Sequence, residues 1–390
     1  MGSPTDDTDT EARELALLEA ERLLELGRIE YAQSRHTEAL DCYARTLAIF
    51  REHGHLQGEG RVLGNLGNLY QDQGKHQEAI DHYTRSIAIA RESGDRRFEG
   101  INVGNLGNLY RSQGKYGHAV DHYTLALRIS REIGDRRSEG IHLASLGTVY
   151  LDQGRMEDAI RALKDAAALA DSIGNSESLG RHLSGLANAY SAQGDFDRAV
   201  EHYTRAIDIA HGIGDHRTEE ICLGNLGNLH KTRNNPEAAI AHYKRAIALA
   251  QEFKNSIGEG IHLGNLGDAL FLLGKHSESE DALREAISRS DSAFPLAAGV
   301  FRGSLALLLA HRREMDTALA LLAAGEPQVE FTPEEHAIFL CKKARVLELK
   351  GDSESAEAAL EEASGIATRL RSPPHSEVGQ AIADVRALLE

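Results

Sequence analysis

Apolar residues along the chain fall into stripes with helical spacing, and the stripes come in pairs. Leu63, Leu66, Leu69 and Tyr70 lie three and four apart, on one face of a helix. Gly74-Lys75 then breaks the pattern. A second stripe follows, made of Ala79, Ile80, Tyr83, Ser86, Ile87 and Ala90, and predicts a helix from about His76 to Glu92. Ser93-Gly94-Asp95 ends it. Glycine suits the left-handed residue after a helix, and Asp95 can cap the next one. Asp135, Asn175, Asp215 and Asn255 stand in the same place. Each unit therefore reads as two antiparallel helices of ~16 residues, roughly 24 Å long.

The units repeat with a period of 40. GNLGNLY occupies Gly64–Tyr70 and Gly104–Tyr110, GNLGNLH occupies Gly224–His230, and GNLGDAL occupies Gly264–Leu270. ASLGTVY from Ala144 and SGLANAY from Ser184 keep the phase, and a weaker copy carries Leu26, Gly27, Ala39 and Tyr43. Gly67, Gly107, Gly147, Gly227 and Gly267, with Ala187, sit mid-helix, where each glycine costs about 1 kcal/mol relative to alanine. A cost repeated this regularly needs a packing return. The missing side chain lets the partner helix approach, Ala79 and its equivalents supply the small opposing surface, and Tyr83, Tyr123, Tyr203 and Tyr243 fill the space beside it.

These residues resemble the tetratricopeptide-repeat family. Leu66-Gly67-x-x-Tyr70, Ala79, Tyr83 and Ser86 match its spacing, as do Leu226, Gly227, Ala239, Tyr243 and Ala246, with His230 in the tyrosine place. The period is longer than the usual 34. With LGN on the first helix and the junctions Gly94–Gly100 and Gly134–Gly140, the chain is similar to the Pins/LGN class of polarity scaffolds and to bacterial signalling arrays. The resemblance covers about residues 24–290. It implies an all-α, right-handed superhelical solenoid of antiparallel helix pairs, with the first helix of each pair on the concave wall. The expected division is a disordered acidic stretch over 1–12, seven helix pairs over 13–300, two degenerate pairs over 301–372, and a capping helix over 373–390. Gly325–Pro333, with two prolines, reads as an irregular loop. No kinase glycine loop, HRD, DFG or GxxxxGK[ST] occurs.

On the first helix, Asn68 falls opposite the packed stripe, and Asn108, Thr148, Asn188, Asn228 and Asp268 are its equivalents. An amide offers both donor and acceptor groups, so a ladder of amides can pair with a peptide backbone of any sequence. The resemblance implies the same, since family members hold peptides through an Asn at this place. One turn earlier, Gly64, Gly104, Gly224 and Gly264 would leave the groove floor bare. Gln71, Arg111 and Lys231, with Arg61 and Arg181, are the candidate specificity residues, beside Leu151, Ser191 and Phe271. Four of these are basic, which suits an acidic segment or a carboxylate terminus.

Composition narrows the function further. Lys plus Arg is 43 and Asp plus Glu is 60 in 390 residues, a formal charge of −17, which disfavours nucleic acid. The charge sits mostly at the ends, with five acids and one base in residues 1–15 and thirteen acids and seven bases in residues 325–390. Cys42, Cys222 and Cys341 are odd in number and widely spaced; they read as buried thiols in a reducing cytosol. The longest apolar runs are too short to span a bilayer, and the acidic, polar start does not read as a secretory signal. His82, His122, His202 and His242 recur once per repeat and read as a feature of the convex side or the inter-repeat seam, without the spacing of a metal site. Arg96-Arg97 and Arg136-Arg137 read as local ion pairs. No catalytic constellation stands out, and no cofactor is expected. The sequence thus points to a non-enzymatic, cytoplasmic adaptor that binds a peptide segment of a partner protein, as a monomer with self-association possible. The alternative is a sensor array in a bacterial signalling system that changes superhelix shape on binding a small peptide or ligand.

Overall fold

Each 40-residue copy folds as one helical hairpin. The structure, a computed structural model, describes residues 4–370, 372, 374 and 376–389. They contain nineteen helices and no strand. Contacts divide the chain into two units, Met1–Gly185 and Leu186–Glu390. The first holds α1 (Pro4–Ala32), α2 (His36–Glu52), α3 (Leu56–Asp72), α4 (His76–Glu92), α5 (Arg96–Ser112), α6 (Tyr116–Glu132), α7 (Arg136–Asp152), α8 (Met156–Ser172) and the first half of α9 (Ser176–Gln193). The second continues with α10 (Phe196–Ile213), α11 (His216–Thr232), α12 (Pro236–Glu252), α13 (Ser256–Leu272), α14 (His276–Ser290), α15 (Pro295–His311), α16 (Met315–Val329), α17 (Pro333–Lys350), α18 (Ser353–Leu370) and α19 (Glu377–Leu389). Within each unit a helix packs on its hairpin partner and on the next hairpin. This is the expected all-α solenoid of helix pairs.

The punctuation works as the sequence predicts. The Asp95 carboxylate accepts from the Phe98 N–H at 2.9 Å, and Asp135, Asn175, Asp215 and Asn255 cap their helices in the same way. Gly74 turns the chain at φ 70°, a conformation that side chains resist. Asn234 fills the equivalent place at φ 54°, since Asn tolerates it better than other residues.

The mid-helix glycines hold an aromatic ring rather than an alanine. A Cβ on Gly67, Gly107 or Gly227 would lie 2.5–2.7 Å from the ring of Tyr83, Tyr123 or Tyr243. Leu163 and Leu283 take the ring's place over Gly147 and Gly267. The core runs along the hairpins, with Tyr83, Val103, Leu106, Leu109 and Ile129 in one cluster of unit 1.

Three regions differ from expectation. α1 begins at Pro4, so residues 4–12 are helical where disorder was expected, and residues 1–3 lie outside the described residues. The fixed φ of proline suits a first helical position. Gly325–Pro333, expected as a loop, is helical except for the turn at residues 330–332. α16 runs through Pro327 to Val329 and α17 starts at Pro333, and Gly325 and Gly299 let α16 and α15 approach backbone to backbone. In the expected cap, residues 373, 375 and 390 lie outside the described residues, and α19 buries Val378, Ile382 and Val385 in one cluster with α17 and α18.

Candidate functional site

The Asn ladder is built from two residues per hairpin. Tyr83, lying on Gly67, reaches along α3 and its hydroxyl donates to Asn68 Oδ1 at 2.6 Å. Tyr123 does the same to Asn108 at 2.6 Å, Tyr243 to Asn228 at 2.7 Å, and Tyr203 to Asn188. Where Leu163 and Leu283 replace the tyrosine, the ladder position is Thr148 or Asp268. The side-chain oxygen is therefore committed to the core, and the Nδ2 amine is the end left to face outward. Burial pushes the phenols up, Tyr123 to about 12, so they remain donors at any ordinary pH. Asn68 and Asn228 are half-buried, while Asn108 and Asn188 are exposed.

Sequence reasoning missed two further columns. Asn105 donates through Nδ2 to Asn68 Oδ1 at 3.3 Å, and Asn225 to Asn188 Oδ1 at 3.5 Å. These are the first asparagines of GNLGN, three residues before the ladder position and so on the same face. Ile101, Ile141 and Ile221, seven residues before it, are 39%, 43% and 46% exposed. Periodicity alone assigns an isoleucine to the core, but its i−7 spacing from the ladder Asn was the available signal. In unit 1, Ile101, Asn105, Asn108, Ile141 and Ser145 line a depression of about 210 Å³.

The glycines one turn before the ladder do not form a bare floor. A Cβ at Gly64 would lie 2.7 Å from Asn102 Oδ1, at Gly104 2.7 Å from His142, at Gly224 2.4 Å from His262, and at Gly264 2.2 Å from Phe301. Each glycine is a socket for a side chain of the next first helix. The filling residue is Asn, His or Phe in different repeats, which is why the repeat pattern alone concealed it.

All the candidate basic residues have acidic partners in the chain. Arg61 pairs with Glu21, Arg111 with Asp152 at 2.5 Å, Arg181 with Glu177 at 2.7 Å, and Lys231 with Glu377 at 3.3 Å. Gln71 Oε1 takes a second contact from the Tyr83 hydroxyl at 3.2 Å. Arg111–Asp152 ties α5 to α7, and Tyr31–Asp72 at 2.5 Å ties α1 to α3. Burial alone would lower the Lys231 pKa, but Glu377, with smaller effects from Tyr243 and Asp268, outweighs it and holds the ammonium charged. Asp268 lies 3.8 Å from Lys342. The structure therefore brings Asn228, Lys231 and Asp268 together in unit 2, and Asn68, Gln71 and Asn108 onto first helices of unit 1.

The recurring histidines belong inside the hairpin. His82 lies tilted against Tyr70 and His122 against Tyr110, both at 5.0 Å, and His202 stacks on Tyr190 at 5.4 Å. They pack against aromatics of their own first helices. Arg96 and Arg136 pair with Glu99 and Glu139.

Comparison with known proteins agrees with this geometry. The tetratricopeptide-repeat model matches residues 19–92, 98–172, 178–252 and 223–292. The chain belongs to the tetratricopeptide-repeat family. No curated protein matches it in sequence. Among solved structures, a Rap protein complexed with competence and sporulation factor is similar at a TM-score of 0.60 and 14% identity, over 93% of this chain and 99% of that one. The apo quorum sensor NprR from B. thuringiensis is similar at 0.59 and 12%, over 89% and 98%. Aspartyl phosphate phosphatase F from Bacillus subtilis is similar at 0.55 and 17%, over 74% and 75%. At these identities the likeness is one of fold. No helix among the described residues is long and apolar enough to cross a membrane.

Proposed function

We propose that this chain is a non-enzymatic, cytoplasmic interaction module that binds an extended peptide segment along the faces of its first helices. One observation carries the reading. The Tyr–Asn bond locks each ladder amide with its oxygen inward, so a row of Nδ2 donors faces outward beside exposed isoleucines. A row of donors suits the carbonyls of a peptide backbone, and the isoleucine column suits apolar side chains. An acidic segment is accommodated by exchange, its carboxylates displacing Glu21 or Asp152 from their arginines. The likeness to Rap and NprR supports the second reading, in which such binding serves a bacterial signalling system.

Selection of peptides against the wild-type chain, followed by titration against an Asn68→Asp/Asn108→Asp variant, tests the reading. Aspartate keeps the acceptor for tyrosine and removes the donor. Peptides selected on unit 1 should bind this variant at least about tenfold more weakly, one charge-neutral hydrogen bond per site being worth about 1 kcal/mol. Equal affinity would overturn the ladder's role.

A further inference from the structure

α19 closes part of the first-helix face in unit 2. Its first residue, Glu377, reaches back over 146 positions to Lys231 of α11. The residues beneath enclose a cavity of about 280 Å³, the size of one residue-sized group and near the small end for ligand pockets.

About half of its lining is apolar, from residues such as Ile261, Phe294, Val300, Phe301 and Ile338. Two ammonium groups and three carboxylates also line it, those of Lys231, Lys342, Asp268, Glu335 and Glu377. The positive groups are already engaged. Lys231 holds Glu377, and Lys342 donates to Ser304 Oγ at 2.6 Å while lying 3.8 Å from Asp268. Glu335 is left over. It sits half-buried in the first turn of α17 and has no hydrogen bond or ion pair among the described residues. Burial, and then the charge of Glu377, pushes its carboxyl above the ordinary value, against the weaker opposing charges of Lys342 and Lys231. Asn228 and Asn265 also line the cavity, so the amide columns lead into it.

We propose that this cavity binds a primary ammonium group carried on a compact apolar body, with Glu335 as its counter-charge. The same chemistry is offered by the amino-terminal residue of a peptide and by a free arylalkylamine. The apolar walls bury the body, and the ammonium restores charge balance to a cavity with one carboxylate in excess. An anionic ligand finds no free cation there. The peptide source rests on the peptide reading above, while the free amine does not.

Isothermal titration of the full chain with four probes tests this: phenethylamine, a tetrapeptide with a free amino-terminal phenylalanine, its N-acetylated form, and 3-phenylpropionate. Phenethylamine or the free tetrapeptide should bind, the acetylated peptide and the carboxylate should not, and Glu335→Gln should weaken binding at least about tenfold. Glu335→Asp should recover part of it, and circular dichroism should show both variants folded. Binding of phenethylamine alone would assign the pocket to free amines, and binding of the tetrapeptide alone would assign it to a chain terminus. No binding by either amine, equal binding of the acetylated peptide, or wild-type affinity in Glu335→Gln would overturn the proposal. The Asn68→Asp/Asn108→Asp titration lies in unit 1, so failure of this pocket is distinguishable from failure of the ladder.

Discussion

Lowering the pH should destabilise unit 1 through two histidines. His142 and His182 are each 6% exposed, and neither Nε2 has a partner in the structure. Burial pushes both imidazoles down from 6.5 to about 4. At His142 the charge of Asp135 opposes the shift, and at His182 the charge of Arg181 adds to it. His142 fills the Gly104 socket and His182 lies beside Gly140, with Asp135 and Arg181 the charges in reach. In the unfolded chain both titrate at the ordinary value. Between those two values the unfolded state binds more protons, so stability rises with pH. The contribution is fully present above about 6.5 and is lost as pH falls toward 4. From pH 8 to pH 5 each histidine should withdraw about 2 kcal/mol, and the pair about 4 kcal/mol. Carboxylates also titrate in this window, so the measurement is a difference. Asn102 and Cys222 occupy the equivalent place in other repeats, which makes His142→Asn/His182→Asn a substitution already tolerated by this fold. Urea unfolding of wild type and double variant at several pH values, followed by amide exchange on α7 and α9, reads it directly. The variant should lose about 4 kcal/mol less on acidification. Superimposable pH profiles would refute the assignment.

Other outcomes follow from the packing. Gly107→Ala should destabilise, because the ~1 kcal/mol gain in helix propensity is exceeded by the clash with the Tyr123 ring, 2.7 Å from the new Cβ. Gly117→Ala, with nothing within 4 Å, should stabilise by about 0.5 kcal/mol; chemical denaturation that ranks the two in the opposite order would contradict the packing. Tyr123→Phe should cost about 1 kcal/mol, and a double-mutant cycle with Asn108→Ala should show coupling, whereas additivity would remove the bond from the account. A thiol reagent should leave the native chain unlabelled, since Cys42, Cys222 and Cys341 are buried and burial pushes the Cys341 thiol up to about 12; rapid labelling under native conditions would contradict that burial.

Features set by near neighbours in the chain were legible in the sequence, and features set by contacts between helices were not. The helix over His76–Glu92, the Asp95 cap and the Gly74 turn all depend on neighbours within four residues, and they stand where the pattern put them. The Asn68 amide was found, but not its commitment to Tyr83, because the repeat showed the two residues without the ring's direction. The sockets were misread because Gly64 is filled from Asn102 of the next hairpin, and the filling residue is not the same in every copy. The Lys231–Glu377 contact spans 146 positions and left no periodic trace. Helical character through Pro327 was hidden by a residue that normally ends helices, and the close Gly299–Gly325 approach between α15 and α16 left no periodic trace.

The sockets carry a consequence for how such a chain lengthens or shortens. Gly64 receives Asn102 and Gly104 receives His142, so consecutive joints can share one kind of socket and take different fillers. Excision of a segment one period long between equivalent positions, such as 103–142, removes one socket together with one filler. It leaves Gly64 facing Asn102 as before and joins that helix to Leu143. Excision of a length that is not a whole number of periods puts a side chain where a socket is required, or a glycine where a filler is required. The chain is therefore editable in whole hairpins only, and the unbroken 40-residue phase of its central copies follows from the fit at each joint.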